Sequence, residues 1–132
     1  MFLANPTEAP FAGGWYVVSW SRELDATGVR PLRYFGREFV LYRSGDGQPA
    51  LLDAHCPHLG AHLGYGGRVE GDDIVCPFHA WRFSATGRCT SVPYASRIPA
   101  KARLRSYPVS EHSGMILANF GPEGQEPSSE VP

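Results

Sequence analysis

Cys56-Pro57-His58 and Cys76-Pro77-Phe78-His79, separated by residues 59–75, decide how this chain is read. Each stretch offers one thiolate and one imidazole. Neither can complete a four-ligand metal shell alone, so the two must fold against each other as loops. Pro57 and Pro77 follow the cysteines directly and stiffen each loop at its ligand.

The segments that lead into the loops read as strands. Arg37–Arg43 and Ala50–Asp53 are apolar runs around the turn Ser44-Gly45-Asp46-Gly47, a β-hairpin that delivers the chain to Cys56. Short strands over Arg68–Glu70 and Asp73–Val75 lead to Cys76, and Trp81-Arg82-Phe83 runs into a turn at Ala85-Thr86-Gly87. Further strands are expected over Trp15–Trp20, over Leu104–Val109 with Pro108 marking an edge, and over Met115–Phe120. No segment keeps a 3.6-residue apolar period for more than about two turns. The expected fold is mostly β, one domain over residues 1–132. Residues 1–12 form a lead-in, and 121–132, rich in Pro, Gly, Ser and Glu, form a linker-like tail.

Composition bounds the function. The 132 residues are 42% hydrophobic and 19% charged with a net charge of −1, so a globular core is expected and nucleic acid is not an expected partner. Fifteen glycines and twelve prolines fit many turns between short strands. No membrane span and no secretory signal are read, and two of three cysteines belong to the loops, leaving no disulfide framework. The expected address is the cytoplasm.

Two thiolates and two imidazoles are also a zinc ligand set. Zinc pairs usually group like ligands, C-x₂₋₄-C with H-x₃₋₅-H. Here each pair mixes Cys with His, which suits a [2Fe–2S] centre spanning two loops, with cysteines on one iron and histidines on the other. A structural zinc module is the remote alternative.

The pattern resembles the Rieske family beyond the ligands. Cys-Pro-His-Leu-Gly-Ala-His-Leu-Gly over 56–64, Cys-Pro-Phe-His-Ala-Trp-Arg-Phe over 76–83 and Gly87-Arg88-Cys89 are similar to the N-terminal domain of Rieske non-haem iron oxygenases. Val92-Pro93-Tyr94, Pro99, Ala102-Arg103 and Arg105-Ser106 resemble the ketosteroid-hydroxylase and cholesterol-desaturase branch. The resemblance implies antiparallel sheets forming a base sandwich or barrel, with a cluster-binding subdomain at about 54–94. It implies one [2Fe–2S] cluster on Cys56, His58, Cys76 and His79, with Gly60 letting backbone approach it and N–H groups there and around Phe78–Trp81 donating to sulfur. It implies single-electron transfer from a flavin- or ferredoxin-type reductase to a non-haem iron oxygenase domain or protein. A free-standing Rieske ferredoxin is the alternative.

Respiratory-chain Rieske proteins carry a loop disulfide where this chain has Ala61 and Phe78, and serine and tyrosine hydroxyls where it has Trp81 and Phe83. Without those donors the reduced state is less stabilised, so the midpoint is expected between roughly −150 and 0 mV, the low end of the family range. Oxygenases of this type place a mononuclear iron in a further domain. His55, His62 and His112 do not form such a site, so electron transfer without oxygen activation is expected, with no catalytic residue.

The remaining candidates read as ordinary. His55 and His62 are expected beside the ligands or on the surface, and His112 at a solvated turn. Cys89 is expected to be small and buried, the glycines at 64–67 a turn, and Trp15, Tyr16 and Trp20 core residues. Arg97, Lys101, Arg103 and Arg105 form a modest basic cluster, a strand face or a docking patch for an acidic donor.

Overall fold

A computed structural model describes residues 14–57, 60–93, 97–99 and 102–120. The strands are β1 (Gly14–Trp20), β2 (Val29–Tyr34), β3 (Arg37–Arg43), β4 (Pro49–Asp53), β5 (Arg68–Glu70), β6 (Asp73–Val75), β7 (Arg82–Phe83), β8 (Cys89–Ser91), β9 (Ser106–Tyr107), β10 (Val109–His112) and β11 (Met115–Phe120). A 3₁₀ turn, Ser21–Glu23, follows β1. They pair antiparallel in three sheets, ordered β1-β11-β10, β2-β3-β4-β9 and β5-β6-β7-β8.

The β3–β4 hairpin organises the whole. Its side chains alternate between faces, as a strand requires. Phe39, Leu41 and Leu51 enter one core with Val18, Tyr107, Ile116 and Phe120. Val40, Tyr42, Ala50 and Leu52 enter a second core with Ile74, Phe83 and Cys89. Burial on both faces explains why Phe39-Val40-Leu41-Tyr42 is apolar without interruption. The first core lies between two distinct sheets, a sandwich. No closed barrel forms among the described residues.

Backbone contacts fix the third sheet to the base. Gly45 N–H donates to the Gly71 carbonyl at 2.6 Å, and Leu104 N–H to the Gly87 carbonyl at 2.8 Å. A Cβ on Gly87 would lie 1.8 Å from the Leu104 oxygen, and its φ is +84°, so only glycine fits there.

Several expectations change. β2 is a strand beyond those expected; it lies at the edge of its sheet, the position at which a proline such as Pro31 is tolerated. β8, Cys89–Ser91, is a further strand, which its pairing with β7 defines. The single strand expected over Leu104–Val109 is two. β9 pairs with β4 and β10 with β11, and Pro108 sits where the chain changes sheets. Trp20 is exposed, under the Arg22 guanidinium at 5.5 Å, not in the core. Tyr16 packs at the rim of the first core, and Trp15 is half-buried outside it. The lead-in and the tail from Gly121 lie outside the described residues.

Candidate metal centre

The two loops are built on one hydrogen-bonded frame. Cys56 N–H donates to the Ala61 carbonyl at 2.8 Å, and Cys76 N–H donates to the Trp81 carbonyl at 2.8 Å. In return Gly60 N–H donates to the Cys56 carbonyl at 2.8 Å, and Ala80 N–H to that of Cys76 at 3.2 Å. The returning residue has a left-handed backbone in both, φ +80° at Gly60 and +61° at Ala80. The sequence signal for the frame is Gly60, since a left-handed turn favours glycine. Ala80 hid it, because alanine bears that conformation only at a cost of roughly 1–2 kcal/mol. These four N–H groups bond to carbonyls of their own loops.

Burial separates the two cysteines from His79. Cys56 and Cys76 are buried in one cluster with Leu63 and Trp81, and no disulfide joins them. His79 is exposed, as is Phe78 beside it. His58 lies outside the described residues. Among the described residues, no three His, Cys, Asp or Glu side chains are grouped closely enough to share one metal ion. The loops abut where a Cβ on Gly66 would lie 3.2 Å from the Pro77 ring. The glycines at 64–67 form a turn there, as expected.

His55 and His62 pair across an isolated antiparallel bridge with ring centroids 5.1 Å apart. His62 Nδ1 accepts from Gly64 N–H at 2.9 Å, so the ring proton sits on Nε2, which faces Glu38 Oε1 at 3.1 Å. Burial lowers the His62 pKa from its ordinary value, partly offset by Glu38. His62 is thus committed to positioning the first loop.

Sequence reasoning missed the anchor below that loop. Tyr107 Oη donates to Asp53 Oδ1 at 2.6 Å and accepts from Arg37 Nη2 at 2.6 Å. Burial, then the Asp53 contact, pushes the phenol pKa well up, so Tyr107 keeps its proton. Asp53 is three residues before Cys56, its only signal in the sequence. Cys89 is buried, with Sγ 3.7 Å from the Ser91 carbonyl and a pKa raised by burial, an inert thiol. His112 is exposed at the end of β10. Of the basic cluster, Arg103 is exposed, Arg105 lies 5.3 Å over the Tyr107 ring, and Lys101 is outside the described residues.

Residues 14–108 match the sequence pattern of the Rieske [2Fe-2S] domain. The chain belongs to this family. The cofactor the family implies is a Rieske-type [2Fe–2S] cluster. Cholesterol 7-desaturase nvd 1 of Ciona intestinalis is 38% identical over 122 residues, covering 92% of this chain and 26% of that protein. The oxygenase component of 3-ketosteroid-9-alpha-monooxygenase of Rhodococcus rhodochrous is 39% identical over 121 residues, covering 92% and 31%. Among solved structures, dicamba monooxygenase with non-heme iron and dicamba superposes with a TM-score of 0.70 at 32% identity, over 80% of this chain and 32% of that one. The Rieske domain therefore spans about a quarter to a third of the curated relatives it matches.

Proposed function

We propose that Cys56, His58, Cys76 and His79 hold one Rieske [2Fe–2S] cluster, and that the domain passes single electrons as the redox part of a Rieske non-haem iron oxygenase system. The observation that carries this reading is that two loops with the same internal hydrogen-bond frame bury their cysteines in one apolar cluster. The donor set fits the group: thiols shielded from water, His79 open to solvent. When bound, the cluster supplies a one-electron couple.

The chain's own residues do the rest. Leu63 and Trp81 exclude water from the cysteines, and the frame holds both cysteine amides away from competing partners. Asp53, Tyr107 and Arg37 fix the entry to the first loop, while Glu38 and Gly64 hold His62 beside it. His79, exposed at the second loop, is where an electron enters or leaves toward a reductase of flavin or ferredoxin type and a non-haem iron acceptor. The cluster-binding unit is residues 54–94, with 121–132 a linker, in the cytoplasm. No helix among the described residues is long and apolar enough to cross a membrane. The relatives named for cholesterol and 3-ketosteroids make sterols the first substrates to try with any partner oxygenase.

Electron paramagnetic resonance of the dithionite-reduced protein, with iron and sulfide analysis, tests the reading. A rhombic signal with two irons and two sulfides per chain is expected. A colourless, zinc-loaded protein would overturn it.

A further inference from the structure

Leu104 N–H bonds to the Gly87 carbonyl, and this weld places Arg88 and Arg103 opposite each other on an antiparallel bridge. Like charges directly opposed across a bridge disfavour the fold. Both side chains are exposed, and among the described residues neither makes an ion pair. The nearby arginines are already engaged: Arg37 on Asp53 and Tyr107, Arg105 over the Tyr107 ring.

Arg103 lines a groove of about 470 Å³ with Arg37, Asp53 and Arg105, which reaches His55 and Pro57, the residues on either side of Cys56, and Arg88 lies with Arg103 on an adjoining hollow. Glu38 also lines it and faces His62. A second groove, of about 490 Å³, shares Arg103 and Arg105. Three arginines therefore face two carboxylates across these grooves, with Arg88 opposite Arg103 at their side, on a chain whose net charge is −1. Acidic residues gather elsewhere, at Asp46, Glu70, Asp72 and Asp73 around the Gly45–Gly71 contact.

We propose that this arginine surface is the docking site for an acidic electron-donor protein, whose carboxylates pair with Arg88 and Arg103 while its edge enters the groove beside Pro57. The inference rests on the electron-transfer reading above and names the side from which the donor comes. A fixed cationic pair beside the first loop steers an acidic partner and sets its register, and such contacts weaken with salt.

An acidic plant-type [2Fe–2S] ferredoxin, oxidised so that no electron moves, serves as the probe in calorimetric titrations of the intact chain. Binding at low ionic strength is expected, falling about tenfold as salt is raised to physiological strength. Arg103→Glu is expected to weaken binding about tenfold or more and to flatten the salt dependence, and Arg88→Glu to do the same. Arg103→Lys keeps the charge and should stay within about threefold of the parent. Arg22→Glu makes the same charge change away from both grooves and should stay within about twofold. Matching thermal melts exclude a folding defect. Unchanged affinity of Arg103→Glu and Arg88→Glu, no binding by the parent chain, or equally tight binding to a DNA duplex or an anionic vesicle would each overturn the proposal. Iron and sulfide are measured in the same samples. A loaded chain that does not bind sinks the docking surface alone, and a chain free of iron that binds through Arg88 and Arg103 sinks the cluster reading alone.

Discussion

The two cores lie on opposite faces of one hairpin and are built differently. On the base side Phe120 meets the rings of Phe39, Phe35, Tyr107, Tyr16 and Tyr34 at centroid distances of 5.2, 5.4, 5.5, 6.1 and 6.4 Å. Offset and edge-on contacts in this range add to the area each ring buries. On the loop side the strands have three, three, two and three residues, and three of the buried side chains are thiols. Strands this short supply few ladder bonds. The base is stabilised by its own packing, whereas in the proposed reading the loops depend on the cluster they hold.

The largest effect expected is at the loops. Cys76→Ser should abolish iron and sulfide binding and bleach the protein, by metal analysis and visible absorption, while circular dichroism still reports the base strands. Loss of all β signal would break the distinction between the two cores. Phe120→Ala should destabilise the whole domain by about 3–5 kcal/mol in urea denaturation, because five rings lose a neighbour at once. A cost below about 1 kcal/mol would mean that the aromatic side does not hold the base.

Smaller effects sharpen the loop comparison. Gly60→Ala puts in the first loop the residue that the second already carries, with no atom within 4 Å of the new Cβ. It should cost about 1–2 kcal/mol in melting experiments and leave iron content intact. Loss of iron would show that the two frames are not equivalent.

The last prediction concerns the base. Arg43 grips Glu111 through two bonds, 2.9 and 3.0 Å, and holds its pKa at about 2 against an ordinary 4.5. A depressed carboxyl contributes stability above about pH 4.5 and loses it as pH falls toward 2. Arg43→Gln should flatten the acid limb of a stability–pH profile over that window. An unchanged profile would remove the ion pair from the account.

Local chemistry was legible in the sequence, and long-range pairing was not. The two Cys-Pro stretches disclosed the loops because residue type and order are local. The hairpin β3–β4 was legible from its apolar run and its turn. β2 was hidden because Pro31 signals a break, and only the sheet order reveals an edge that tolerates it. The division at Pro108 was hidden because β9 and β10 find different partners, both distant in sequence. Trp20 misled because an aromatic on a strand is usually buried, and only the pairing of β1 with β11 shows which face points outward. The Arg88–Arg103 opposition joins residues that no local pattern connects.

The doubly buried hairpin has a consequence for anyone wishing to transplant the two loops into another scaffold. Cutting at residues 54 and 94 would leave Val40, Tyr42, Ala50, Leu52, Ala102 and Leu104 behind, six of the fourteen buried residues of that core. A portable version must bring β3 and β4 along, and then needs a new roof over Phe39, Leu41 and Leu51.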